Sequence, residues 1–229
     1  MRQALKIFLL AVAVVAVSLA GCRKGPRPER ELASDEPGPP SPMRDVLIEM
    51  HQSLLEGRKE DHLATFVGEE QEMRVVETLY DFHQAGREFR RRFIEVYGPG
   101  QWEDVRYDKE ARLYLPPEDT KHYEHAVIEQ TSEDTAEAVV VRGKLPVELR
   151  KTESGWRVEA SSFVPRNANP RKVARINERW TEILQRQTER IGRDGLGPVD
   201  IRLAVGEEFG RAAKEIIEQS QLQDETANP

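Results

Sequence analysis

Five histidines, His51, His62, His83, His122 and His125, offer the first chemistry in this chain. His83 lies two positions from Asp81 in a stretch of helical periodicity. A buried His–Asp pair beside a cavity could serve as a general base. Side chains two apart on a helix do not face each other, so a hydrogen-bonded histidine at the core's edge is the preferred reading. His122 and His125 form an HxxH, a spacing that serves a metal on a helix. Here it falls in a strand predicted over 122–130, where residues three apart point to opposite faces, so one metal would not see both. No metal site and no cofactor is expected. Tyr80, Tyr114 and Trp156 are the candidates for lining a cavity, although Trp156 also suits a core. The chain has no glycine-rich phosphate loop, no GxSxG and no HExxH.

These residues depend on elements with clear punctuation. Ser41 as N-cap and Pro42 at the first helical position open a helix. Its stripe is Met43, Val46, Leu47, Met50, Leu54 and Leu55, and Gly57 stops it. A short helix is expected over 60–67, closed by Gly68. A long one, over 69–97, carries Met73, Val76, Leu79, Tyr80, His83, Phe89, Phe93 and Val96 on one face and ends at Gly98-Pro99-Gly100. The period then changes. Strands are expected at 111–115, 122–130 and 135–142, then 144–151 and a run from Trp156 to Ala160 joined by a turn at Ser154-Gly155. The last three form an antiparallel meander with one apolar face that needs a cover.

A helix over 171–191 follows Pro170. From Val199 the pattern reads two ways. Val199, Ile201, Leu203 and Val205 alternate like a strand, whereas Val205, Phe209, Ala213, Ile216 and Ile217 repeat like a helix to about Gln221. The longer pattern favours the helix. Residues 166–193 carry eight basic and three acidic groups, and 194–229 carry three and eight, so the two helices should attract each other. Gly206, Gly210 and Ala213 form a small-residue stripe. Close packing within the chain is the preferred reading, and docking of a partner helix the sharper one.

The fold class expected is α+β: N-terminal helices packed on a curved antiparallel sheet, followed by a C-terminal helical hairpin. With 34 Lys+Arg against 41 Asp+Glu among 229 residues, the formal net charge is −7, which argues against a nucleic-acid surface. A single Cys excludes an intramolecular disulfide framework and a cysteine-rich metal site.

That Cys has an informative position. Arg2 and Lys6 precede an apolar run from Ile7 to Ala20, too short for a bilayer span of about 20 residues and suited to a signal peptide. The run ends in Leu19-Ala20-Gly21-Cys22, which resembles the lipobox of bacterial lipoproteins. The resemblance implies a diacylglyceryl thioether on Cys22, cleavage before it, and N-acylation of the new terminus, so that several acyl chains hold the protein in the bilayer. In well-studied lipoproteins an Asp after the Cys favours the inner membrane. Arg23 stands here, so the outer membrane, facing the periplasm, is preferred. Residues 22–42 hold six prolines and little apolar surface and are expected to form a disordered tether.

The phrase from Pro146 to Lys151, a turn, then Gly155-Trp156-Arg157-Val158 resembles the closing hairpin of the nuclear transport factor 2-like (cystatin-like) superfamily. The resemblance covers about residues 43–165. It implies a bent sheet around the N-terminal helices with a cone-shaped cavity, in a superfamily of isomerases, cyclases, hydrolases and plain binding modules. The expected order is a signal peptide over 1–21, the lipidated Cys and tether over 22–42, an α+β domain over 43–165, a helical hairpin over 166–223 and a disordered tail over 224–229. The function expected is that of a membrane-anchored binding or protein-interaction module of the cell envelope. Its partners would be the bilayer, through Cys22, and an envelope protein or a small apolar ligand. The alternative is an isomerase-, cyclase- or hydrolase-type enzyme using Asp81 and His83.

Overall fold

The computed structural model describes residues 32–106, 115–193 and 195–226, with side chains left out for 103–106 and 220–226. The signal and lipobox residues, Tyr114 and most of the strand expected at 111–115 lie outside the described residues. The fold is α+β, with a five-stranded open sheet and a helical C-terminus.

Helix α1, Pro42–Glu56, begins where its cap chemistry says it should: Ser41 Oγ accepts from the Arg44 amide at 3.2 Å. Gly57, at φ 76°, closes it with a left-handed residue that a side chain would strain. Helix α2, Lys59–Ala64, is shorter than its pattern suggested, because Phe66–Val67 leave it to form strand β1. The long helix α3, Glu70–Tyr97, ends at Gly98, and Pro99 opens a further helix, α4, Pro99–Arg106. The expectation of a plain stop there missed that a proline after a break suits a new first turn.

A second correction falls on 122–130. Lys121–Glu124 form one helical turn, α5, and only Val127–Gln130 form strand β2. Strands β3, Thr135–Val139, β4, Val147–Thr152, and β5, Gly155–Glu159, complete the meander. The sheet order is β1-β5-β4-β3-β2. Strand β1 runs parallel to β5, with Phe66 opposite Val158, so the sheet is mixed and not purely antiparallel as expected. Two residues of β1 carry too little pattern to be read as a strand.

Helix α6, Pro170–Arg190, is capped by Asn169, and helix α7 runs over Pro198–Thr226. The helical reading of 199–221 therefore holds, and the helix continues through Asp224 and Glu225, where a disordered tail was expected.

The chain divides into two compact units. The first comprises residues up to Val76 together with Pro117–Arg166. Its core joins Val46, Leu47 and Met50 of α1 to the inner sheet face, Ala136, Ala138, Leu149 and Val158. The opposite face is polar. Glu129 lies directly opposite Glu137, which lies opposite Glu148. Like charges in register cost a fraction of a kcal/mol per pair. Elsewhere on the sheet Arg150 of β4 pairs with Glu159 of β5 at 2.7 Å.

The second unit comprises Glu77–Pro116 and the chain from Asn167. The expected boundary at 165/166 set the last two helices apart, whereas by contacts residues 77–116 join them. The reason is visible in the core: Phe82, Phe89 and Phe93 of α3 and Trp102 of α4 pack with Ile183 and Leu184 of α6 and Ile201, Val205 and Phe209 of α7. Arg186 of α6 pairs with Glu208 of α7, in line with the opposite charges of the two helices.

Helix α7 turns Val205, Phe209, Ala212 and Ile216 inward, and Gly210 outward. A Cβ on Gly210 would meet no described atom within 4 Å. The preferred reading of Gly210 as a close-packing residue within the chain is therefore corrected. Gly210→Ala should stabilise the protein by about 0.5 to 1 kcal/mol, because Ala restricts the unfolded chain and suits an exposed helix interior. Urea unfolding checks this, and a loss of stability would mean the position is covered.

Candidate functional site

Asp81 and His83 both lie half-buried on α3, and both are engaged in interactions. At two positions apart they project to different sides of the helix. The His83 ring lies 5.8 Å from that of Phe82. Trp156 packs against the first unit's core, whereas Tyr80 is a buried residue of the second unit. The cavity-lining candidates are thus divided between the units, and Tyr114 lies outside the described residues.

The residues that do converge are others. On α1, Arg44, Leu47, His51 and Leu54 repeat at spacings of three, four and three, which places all four on one helix face. All are buried, so two polar side chains enter the first unit's interior among apolar ones.

Arg44 meets this by spending its fork on carbonyls. Nε donates to Pro39 O at 3.1 Å, Nη1 to Tyr123 O at 2.9 Å and Glu124 O at 2.6 Å, and Nη2 to Ala126 O at 3.0 Å. Three of these close the C-terminal end of α5, where carbonyls lack helical partners and a cation is favoured. Burial lowers the guanidinium pKa, with the Asp45 charge opposing. This clamp explains why 121–124 is helical despite its strand-like sequence.

The clamp also fixes the N-terminal segment. Gly38 N donates to Glu124 O at 3.0 Å, and the His125 ring donates from Nδ1 to Ser34 O at 3.0 Å. Leu32 bridges Val141 beside the sheet, and Asp35 lies 3.8 Å from Arg142. Gly38 is required by space: a Cβ there would stand 1.9 Å from Arg44 Nη2. The expected disorder of 22–42 is therefore corrected from Leu32 onward. Composition counts apolar side chains, and this strap is held through its backbone. Residues 22–31 lie outside the described residues.

His51 is 1% exposed, and its ring centroid lies 4.7 Å from that of Tyr123. Neither ring nitrogen makes a hydrogen bond of regular geometry, although the backbone of Pro117 and Asp119 lies beside the ring. Burial lowers the His51 pKa foremost, the Asp119 charge raises it, and His122 lowers it. His62, on α2, places Nδ1 2.7 Å from Met50 O. Its pKa is lowered by burial and then by His51. His51, His62 and His122 therefore form one cluster, held by α1, α2 and α5. The expectation that His122 lies in a strand is corrected: it sits on a helical turn, with His125 as its cap. Among the described residues no group of three or more His, Cys, Asp or Glu is arranged to hold a metal ion.

Sequence reasoning missed this cluster, although a signal was present. Two polar residues on an apolar stripe, at its own spacing, mark buried polar positions.

No protein-family model matches the chain, and comparisons with curated proteins and with solved structures give no significant match.

Proposed function

We propose that the chain is a lipid-anchored protein of the bacterial cell envelope, whose folded part binds or docks other molecules without transforming them. The observation that carries this reading is the strap. The lipobox Cys22 stands ten residues before Leu32, the first described residue and one bridged to Val141. Ten residues span at most about 35 Å. An acylated Cys22 would thus hold the first unit close to the bilayer. No helix among the described residues is long and apolar enough to cross a membrane. With Arg23 after the Cys, the outer membrane facing the periplasm is preferred.

The non-catalytic half is supported by the scatter of the acid–base and cavity candidates. Exposed apolar side chains such as Val127 and Leu145 suit an envelope protein or a small apolar ligand, and the acidic balance disfavours nucleic acid.

The test is Cys22→Ser in cells fed a labelled fatty acid. The wild type should take up label and mature. The variant should accumulate as an unlabelled, uncleaved precursor, and normal processing of it would overturn the anchor. Native mass spectrometry of protein extracted gently from its own membranes tests the rest. A bound protein or small apolar ligand is expected. Substrate turnover lost in Asp81→Asn or His83→Gln would overturn the non-catalytic half.

A further inference from the structure

Nothing so far gives a role to the buried pair His51 and His62 with the half-buried His122 beside them, or to a tether whose second half is strapped down. The two features meet at α5. The strap bonds to this turn through Gly38 and to the Arg44 clamp through Pro39. On its other side, the α5 residue Tyr123 covers the His51 ring. The strap itself is largely exposed and is held by a few backbone hydrogen bonds, the mark of a segment that opens before its core does.

We propose that this region is a proton-operated latch: acid protonates the His51 cluster, lifts α5 from α1 and frees the strap Leu32–Pro40 from the first unit. A buried imidazolium at His51 would face His122 and the Tyr123 ring from α5, His62 from α2 and Asp119 from the preceding loop, with Arg44 on its own helix. One carboxylate thus stands against the Arg44 guanidinium and the imidazoles around it. Opening returns His51 to water.

The sign follows from the lowered pKa values of His51 and His62. Above pH 6.5 the rings are neutral in both states, and the closed state keeps its full advantage. As the pH falls below that value the open state takes up protons that the closed state refuses. For one histidine the gain is at most about 30-fold at pH 5, the ceiling set by a ring that stays neutral in the closed state.

The consequence rests on the anchor reading. With the strap closed, about 35 Å of chain separates Cys22 from the folded unit. With it open, the tether runs to Pro42 and doubles that reach to about 70 Å. Acid would thereby let the binding unit leave the membrane surface.

The test is hydrogen exchange on the full chain, comparing protection factors at pH 7.5 and pH 5.0. In the wild type, the Gly38 and Ala126 amides should lose at least tenfold in protection, while the Val158 amide, inside the sheet, keeps its own. His51→Leu should cut the loss to less than threefold, with His51→Gln as the check if Leu disturbs packing. Gly38→Ala should leave the strap unprotected at both pH values. Equal acid loss in both His51 variants, or parallel loss at Val158, would overturn the latch. Failure to find lipid on Cys22 would remove the change in reach and leave the exchange result standing.

Discussion

Arg44→Met is expected to destabilise the first unit by about 3 to 5 kcal/mol, the scale of removing a buried charged hydrogen-bonding partner. The side chain is 6% exposed and serves four carbonyls on two separate segments. Met fills a similar volume and offers no donor. The loss therefore reports the hydrogen bonds more than a cavity. Those of Tyr123, Glu124 and Ala126 lose the cation that closes α5, and Pro39 loses its hold on the strap. Lys keeps the charge but presents a compact ammonium that does not span four acceptors. Arg44→Lys should recover about half of the stability. Urea unfolding followed by circular dichroism measures both, and hydrogen exchange at Gly38 and Ala126 should show opening beyond the wild type at pH 7.5. A loss under 1 kcal/mol for Arg44→Met would mean that water replaces the guanidinium at those carbonyls.

This clamp also shows where sequence reasoning runs out. Caps and stripes act locally, and they were legible. Ser41, Gly57, Pro170 and the apolar repeats fix α1, α3, α6 and α7 to within a few residues. The meander was legible too, because its alternation and its Gly155 turn are properties of neighbouring residues. What failed depends on distant partners. Residues 121–124 are helical because a side chain some 80 positions earlier in the chain takes their carbonyls. Strand β1 is two residues long and exists only because Val158 and Glu159 lie beside it. The strap looked disordered because its attachment is through backbone atoms, which composition does not weigh.

The candidate site divides in the same way. Asp81 and His83 were selected for chemical type and sequence proximity, which on a helix at two positions apart does not bring side chains together. His51 was passed over because it has no chemical neighbour in sequence. Its neighbours, His62, Asp119, His122 and Tyr123, are assembled by folding. The apolar face of α1 nevertheless carried the clue, since Arg44 and His51 interrupt it at its own spacing.

Phe93→Ala tests the second core by the same logic of distant partners and is expected to cost about 3 to 5 kcal/mol. The Phe93 ring is fully buried. It stands edge-on to Tyr97 at 4.9 Å and to Trp102 at 5.8 Å, and tilted to Phe89 at 5.9 Å. Each such aromatic pair contributes about 0.5 to 1.5 kcal/mol beyond its buried area. Truncation removes three pairs at once and leaves a cavity that rings on fixed helices cannot close. Tyr97 is tied in place, donating to Leu196 O at 2.7 Å and accepting from Gly192 N at 3.1 Å. Trp102 is therefore the ring most free to move into the space, and its fluorescence should shift to longer wavelength as water reaches it. Phe93→Leu keeps most of the volume and should cost less than half as much. Urea unfolding ranks the two variants. If Phe93→Ala costs no more than Phe93→Leu, the cavity has collapsed, and the tight packing of α3 and α4 around this ring is not what holds the second unit together.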